Sequence, residues 1–177
     1  ILKSKRGISY KILSSLIPPM IDFEDVILKK IDDTIPETLA ILRLAKEEAR
    51  NLGSYCIGTE MILLGILSYG IGVAASTLRH LGITLKDARV EVKKLIKTND
   101  NIENLTLIYS PRAKKMLEVA YKTAAEHKRP KVKSENLLYG ITKMPNCLAM
   151  QVLTNLGTDI LEIQQGIKQE LLGGMEL

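Results

Sequence analysis

Residues 58–67 read GTEMILLGIL, and residues 133–142 read KSENLLYGIT. A shift of 75 residues superimposes the two stretches and extends the alignment without a gap from residues 36–97 onto residues 111–172. Identical residues recur at predicted helix starts, on apolar faces and at glycines that end helices: Pro36/Pro111, Glu60/Glu135, Leu63/Leu138, Gly65/Gly140, Ile66/Ile141 and Gly82/Gly157. Because self-similarity at a fixed period indicates a repeated structural unit, the sequence predicts an internal duplication.

Each copy contains four segments with the start and stop signals of helices. In the first copy, Thr34 and Glu37 have the spacing of a capping box, apolar residues then recur at helical spacing, and Gly53 suits a C-terminal cap. Further helices are predicted at 58–67, 73–81, 84–97, from Pro111 onward, and at 134–142, 147–156 and 159–172. The predicted fold class is all-α: a tandem repeat of a four-helix motif with eight main helices and pseudo-twofold symmetry.

The predicted organisation has a leader, a duplicated domain and a tail. The boundaries are 1–33 for the basic leader and N-terminal extension, 34–172 for the duplicated domain (repeat one 34–97, polar linker 98–108, repeat two 109–172) and 173–177 for the tail. Since one repeat alone is too small to bury its apolar faces well, the two repeats are expected to share an interface.

The composition predicts an aliphatic core, and the first 21 residues are basic and free of acidic side chains. The chain has 177 residues, of which 46% are hydrophobic and only 4% aromatic, so the core is expected to be aliphatic. The formal net charge is +5, and residues 1–21 supply four of these charges because they contain four basic and no acidic side chains. Such a segment is typical of an organelle transit peptide; an ordinary basic extension is the alternative.

Catalysis and metal binding find little support in the sequence. It contains no phosphate-binding loop of the GxxxxGK[ST] type. Cys56, Cys147, His80 and His127 are scattered, so neither a zinc site nor a Cys/His catalytic pair is expected, and the two cysteines are interpreted as buried free thiols in a reducing compartment. No apolar run approaches the ~20 residues that span a bilayer.

The candidate binding residues are Glu60 and its repeat counterpart Glu135, each preceded by a hydroxyl residue, Thr59 or Ser134, at a helix start. The helix dipole favours acids in a first turn by about 0.3–1 kcal/mol, which explains these residues without any ligand. Alternatively, a carboxylate beside exposed first-turn N–H groups attracts a cation and an anion together. The residues alone leave both interpretations open.

One basic segment, residues 127–133 (HKRPKVK), suggests contact with phosphates. It has no aromatic residues interleaved for base stacking, so a solvated loop between helices is the favoured interpretation. Lys131 and Lys133 could equally attract an acidic peptide or a phosphorylated ligand.

The stretch 55–67, YCIGTEMILLGIL, resembles the N-terminal domain of Clp/Hsp100 chaperones, as do GVAA at 72–75, SPRAKK at 110–115 and ENLLYG at 135–140. The resemblance covers about residues 34–172, and the sequence of the motif at 58–67 is similar to that of the ClpC type of bacteria and plastids. In that family the domain is a tandem repeat of a four-helix motif.

The resemblance implies a non-catalytic module that docks protein clients and adaptors on a hexameric, ATP-driven unfoldase serving a ClpP-type protease. ATP and magnesium would bind in modules of the parent protein, and no cofactor is implied for this segment. Glu60 and Glu135 match residues that bind the guanidinium of phosphoarginine in some bacterial members, and Tyr109 matches an aromatic residue lining a ligand and partner surface; Thr34 stands at the equivalent position of repeat one. Because Arg129–Ser134 replaces the usual second Y-I-G-T, phosphoarginine binding is expected more at Glu60 than at Glu135.

Two alternatives remain. A stand-alone Clp accessory protein would have the same fold without ATPase modules, and a stop codon after Leu177 would support it, whereas two encoded ATP-binding modules would support the fused protein. A basic nucleic-acid-binding helical protein is the less favoured second alternative. The expected location is a soluble compartment, a plastid-type organelle lumen, with the cytoplasm as alternative and no membrane contact.

Overall fold

The structure, a computed structural model, describes residues 36–98, 106–126 and 131–173. The leader 1–33, the predicted cap residue Thr34 and most of the linker lie outside the described residues. The same holds for the first four residues of the basic segment at 127–133.

The described residues form eight helices, four on each side of the linker, which confirms the predicted all-α duplication. The first repeat contains α1 (Pro36–Asn51), α2 (Thr59–Tyr69), α3 (Val73–His80) and α4 (Leu85–Leu95). The second contains α5 (Pro111–Glu126), α6 (Ser134–Thr142), α7 (Leu148–Asn155) and α8 (Ile160–Gly173). Helix α8 therefore includes Gly173, which the sequence pattern places in the tail.

Several predicted helix caps form as hydrogen bonds. The hydroxyl of Thr84 accepts from the backbone N–H of Asp87 at 3.1 Å, and Ser110 caps α5 in the same way through Ala113 at 3.1 Å. Asp159 and Glu162 form a reciprocal pair, each carboxylate accepting from the other residue's backbone N–H, at 2.9 and 3.0 Å. These bonds satisfy donors that a helix start leaves without a partner.

A short parallel sheet, which the sequence pattern does not predict, joins the two repeats. Strand β1 (Cys56–Ile57) pairs with β2 (Ile108–Tyr109), with Cys56 opposite Ile108 and Ile57 opposite Tyr109. Ile108, predicted to belong to the linker, thus lies in a strand. Two residues are too few to show the alternation that identifies a strand from sequence.

The two repeats share one core, as expected. Helix α3 of repeat one packs against α6 and α8, and α7 of repeat two packs against α2 and α4, so each third helix lies against the opposite repeat. Within each repeat the first two helices pack together, α1 on α2 and α5 on α6. The buried apolar residues are aliphatic or sulfur-containing apart from Tyr109, as the composition predicts.

Within the described residues, no single helix is long and apolar enough to cross a membrane. Helices α2 and α3 pass such a test only as a pair, and they meet at an angle of 92°. The first eight residues of α2 are buried inside the protein.

Candidate functional site

The Glu60 carboxylate lies at the start of α2, where β1 turns into the helix. Gly58 is the N-cap residue and adopts an extended conformation. The carboxylate folds back over Gly58 so closely that a β-carbon at this position would overlap its oxygens. Only 4% of Glu60 is exposed. A glycine before the helix therefore makes the space that the carboxylate occupies.

Burial dominates the electrostatics of Glu60. It raises the pKa of this carboxyl above its usual range, and this effect exceeds the lowering of the pKa by the residue's own backbone N–H and by the Thr59 hydroxyl. The neighbouring thiol of Cys56 also has a raised pKa, first because of its burial and second because of the negative charge of Glu60. The site thus holds a carboxylate that gains from any cation brought beside it.

Thr59 and Ser134 connect the two repeats reciprocally. The Thr59 hydroxyl accepts from the backbone N–H of Ala149 at the start of α7, at 3.2 Å. The Ser134 hydroxyl accepts from the backbone N–H of Ala74 at the start of α3, at 3.4 Å. Both hydroxyl residues are buried. Each one caps a helix of the opposite repeat, a role that spacing along the chain does not show.

Glu135 occupies the equivalent position of repeat two, but its surroundings differ. It is 5% exposed and follows Lys133, the N-cap residue of α6, where repeat one has Gly58. The backbone N–H of Lys133 donates to the Asn136 side chain at 2.9 Å. The second loop therefore carries a cation and a side-chain cap in place of the glycine beside Glu60.

Tyr109 lies inside the protein, in β2, with 2% of its surface exposed. Its ring accordingly presents almost no area to a ligand or partner in this conformation, which differs from the surface position that the resemblance implies. Thr34, its counterpart in repeat one, lies outside the described residues. The structure therefore brings Thr59 and Glu60 together and places Tyr109 in the strand beside β1.

Two acidic residues of α1 make long-range contacts that the sequence pattern does not predict. Glu37, predicted to cap α1 together with Thr34, accepts from the backbone N–H of Ser134 at 3.4 Å. Glu48 is buried and pairs with Arg89 of α4, whose Nε donates at 3.0 Å. Their partners are 97 and 41 residues away in sequence, so no local pattern predicts these contacts.

The two cysteines are free thiols that differ in burial. Cys147 is buried, as expected, whereas Cys56 is only half-buried. Across residues 36–98, 106–126 and 131–173, no group of three or more His, Cys, Asp or Glu side chains gathers in a way that could hold a metal ion.

The chain has clear relatives. The Clp repeat (R) N-terminal domain family matches residues 36–156 and, in a second match, residues 108–174. The ATP-dependent Clp protease ATP-binding subunit ClpA homolog of Cyanidium caldarium is 43% identical over 131 residues, 74% of this chain and 15% of that protein. The chloroplastic chaperone protein ClpC of Pisum sativum is 36% identical over 163 residues, 83% of this chain and 18% of that protein. The chain thus spans less than a fifth of these relatives.

Solved structures share the fold. The N-terminal domain of the chaperone ClpD from Arabidopsis thaliana superimposes with a TM-score of 0.66 at 18% identity, covering 82% of this chain and 96% of that one. The Hsp104 N-terminal domain from Candida albicans gives a TM-score of 0.62 at 14% identity, covering 77% and 89%. The duplicated helices, the family match and the identity with full-length relatives agree: the chain belongs to the family of Clp repeat N-terminal domains of Clp/Hsp100 chaperones.

Proposed function

We propose that this domain docks protein clients and adaptors for a Clp-type ATP-driven unfoldase and performs no catalysis itself. The docking unit would be residues 34–172, with repeats 34–97 and 109–172. The observation that carries the proposal is the buried carboxylate of Glu60 in the first turn of α2. Glu60 is 4% exposed, so binding would have to uncover its carboxylate, and a guanidinium on the client would then supply a counter-charge to it.

Two exposed apolar side chains lie at the β1–β2 sheet, and β1 precedes the start of α2. Tyr55, directly before β1, and Ile108, opposite Cys56 in β2, are each more than half exposed. Exposed apolar side chains suit binding of an unfolded or extended protein segment. Glu60 with Thr59 is thus the primary site of the proposal, and Glu135 with Ser134 a secondary one, since Lys133 stands beside Glu135. Tyr109, in β2, would support the site, and Thr34 is its counterpart along the sequence in repeat one.

The other modules and the protease partner of the parent protein are proposed from its relatives. Since those relatives are named ATP-binding subunits and chloroplastic chaperones, the parent protein would bind ATP and magnesium in other modules and deliver clients to a ClpP-type protease. The proposed location is a plastid-type compartment. Residues 22–177 carry a formal net charge of +1, whereas the repeat domain 34–172 itself carries +5. The basic segment 127–133 has no aromatic residue for base stacking, which favours protein partners over nucleic acid.

The test is binding of a fluorescent peptide that carries one phosphoarginine, compared with the same peptide carrying arginine. Glu60→Gln removes the charge and keeps the side-chain shape, so we expect it to weaken phosphoarginine binding about ten-fold or more. Glu135→Gln should weaken it less. Fluorescence anisotropy measures the affinities, and circular dichroism confirms that the variants keep their helices.

Glu47→Gln is the matched control, because it removes the same charge from an exposed position of α1. Its affinity should equal that of the unmodified domain. If the unmodified domain binds the two peptides equally, or if Glu60→Gln leaves the preference intact, Glu60 is not the guanidinium site.

A further inference from the structure

Repeat two also contains a basic pocket, in contrast to the acidic site at Glu60. A cavity of about 340 Å³ opens between the start of α5 and the connection from α6 to α7. Its lining includes three cationic residues, Arg112, Lys115 and Lys143, together with apolar Val119, Met144 and Pro145. The lining contains no acidic residue. The volume lies within the range of small ligand sites, roughly 300–1,000 Å³.

Contacts to the surrounding structure hold the cations at the rim. Arg112 donates from one guanidinium nitrogen to the backbone carbonyl of Asn146 at 2.7 Å, which leaves its other N–H groups available to a ligand. The ammonium of Lys143 lies 4.8 Å from the centroid of the Tyr139 ring. Lys115 pairs with Glu118 at 3.1 Å, so the pocket and its immediate neighbour keep a net positive charge.

The duplication shows that this charge belongs to repeat two alone. The positions equivalent to Arg112, Lys115 and Lys143 in repeat one are Glu37, Ala40 and Ser68. None of these is cationic, and Glu37 accepts a hydrogen bond from the opposite repeat. The helical framework of a repeat therefore does not require cations at these positions, so their packing role alone does not explain the cluster.

We propose that this pocket binds an acidic segment of a partner protein. Carboxylates of the segment would meet Arg112 and Lys143, and one apolar side chain between them would lie against Val119 and Met144. Charge complementarity selects an anion, and the apolar wall selects a peptide over a nucleic acid, since the lining offers no aromatic ring for base stacking. The proposal rests on the proposed docking function only in taking the ligand to be a protein.

The experiment measures binding of the fluorescein-labelled peptide Gly-Glu-Glu-Leu-Glu-Gly by anisotropy. We expect saturable binding that weakens as salt rises. Replacing the glutamates by glutamines should weaken it about ten-fold, and replacing the leucine by serine should weaken it several-fold. The double variant Arg112→Gln/Lys143→Gln should weaken binding of the glutamate peptide about ten-fold.

Lys86→Gln/Lys168→Gln is the matched control, since it removes two exposed cations of α4 and α8 and should leave binding unchanged. Lys143→Gln alone serves if loss of the Arg112–Asn146 bond disturbs folding. Equal weakening in control and pocket variants would overturn the proposal, as would peptide binding that ignores the pocket variant. Tight, pocket-dependent binding of a single-stranded oligonucleotide without peptide binding would also overturn it.

The two proposed sites can fail separately. Glu60→Gln should leave binding of the glutamate peptide unchanged, and the Arg112→Gln/Lys143→Gln variant should leave binding of the phosphoarginine peptide unchanged. Loss of both kinds of binding in either variant would contradict the assignment of two independent sites.

Discussion

Glu60 is an acid in the first turn of a helix that is buried instead of solvated. An acid in the first turn is usually a solvated group that the helix dipole favours, but this carboxylate is folded over Gly58 and almost completely buried. Its residue type and its place on the helix could be predicted from the duplicated motif. Its burial could not, because burial depends on the turn that β1 makes and on the fit against Gly58.

Burial of Glu60 predicts a pH-dependent stability. Because the pKa of its carboxyl is raised in the folded protein, the folded state binds the proton more tightly than the unfolded state, and the charged form costs stability above the raised pKa. We expect Glu60→Gln to be more stable than the unmodified domain at neutral pH. The difference should shrink as the pH falls through the raised value toward the unfolded value.

Thermal unfolding at several pH values between neutral and about 4.5 measures this difference. The variant Glu47→Gln, at an exposed site, gives the background from losing a charge. An unchanged gap between Glu60→Gln and the unmodified domain across this range would show that Glu60 keeps its ordinary pKa.

At the scale of the element, glycine allows the first two helices of each repeat to approach closely. A β-carbon on Gly65 of α2 would lie 2.5 Å from the backbone carbonyl oxygen of Ile41 in α1, and one on Gly140 of α6 would lie 2.9 Å from that of Met116 in α5. The repeat alignment predicts that the two glycines are equivalent, and the caps predict the helices that carry them. The sequence does not show which helix approaches them.

We expect Gly65→Ala to destabilise the domain by about 1–3 kcal/mol, because backbone atoms must move apart and the gain in helix propensity offsets this only in part. Gly140→Ala should cost less, since its added methyl group would lie farther from the facing backbone. Chemical denaturation measures both. Gln165→Ala, at an exposed position of α8, should change stability by less than about 0.5 kcal/mol; a neutral Gly65→Ala would contradict the close approach of α1 and α2.

At the scale of the whole molecule, the two repeats exchange helix caps. Thr59 caps α7 and Ser134 caps α3, and the β1–β2 pair adds a second connection between the repeats. A shift of 75 residues identifies equivalent positions, and the apolar faces predict that the repeats share a core. Neither identifies the residues that meet across the pseudo-twofold axis, because those contacts join positions 90 and 60 residues apart.

Each capping hydroxyl lies in one repeat and the N–H that it accepts from lies in the other. A substitution in one repeat is therefore expected to speed hydrogen exchange in the other. Thr59→Val removes the acceptor for the backbone N–H of Ala149 and keeps the side-chain size, so hydrogen exchange should accelerate at Ala149 in repeat two. Ser134→Ala should accelerate exchange at Ala74 in repeat one, and each variant should lose about 1 kcal/mol of stability. Thr84→Val removes a cap within one repeat, at Asp87, and should affect only that helix start. Acceleration confined to the substituted repeat in Thr59→Val and Ser134→Ala would contradict the exchange of caps, because the freed amides lie in the opposite repeat.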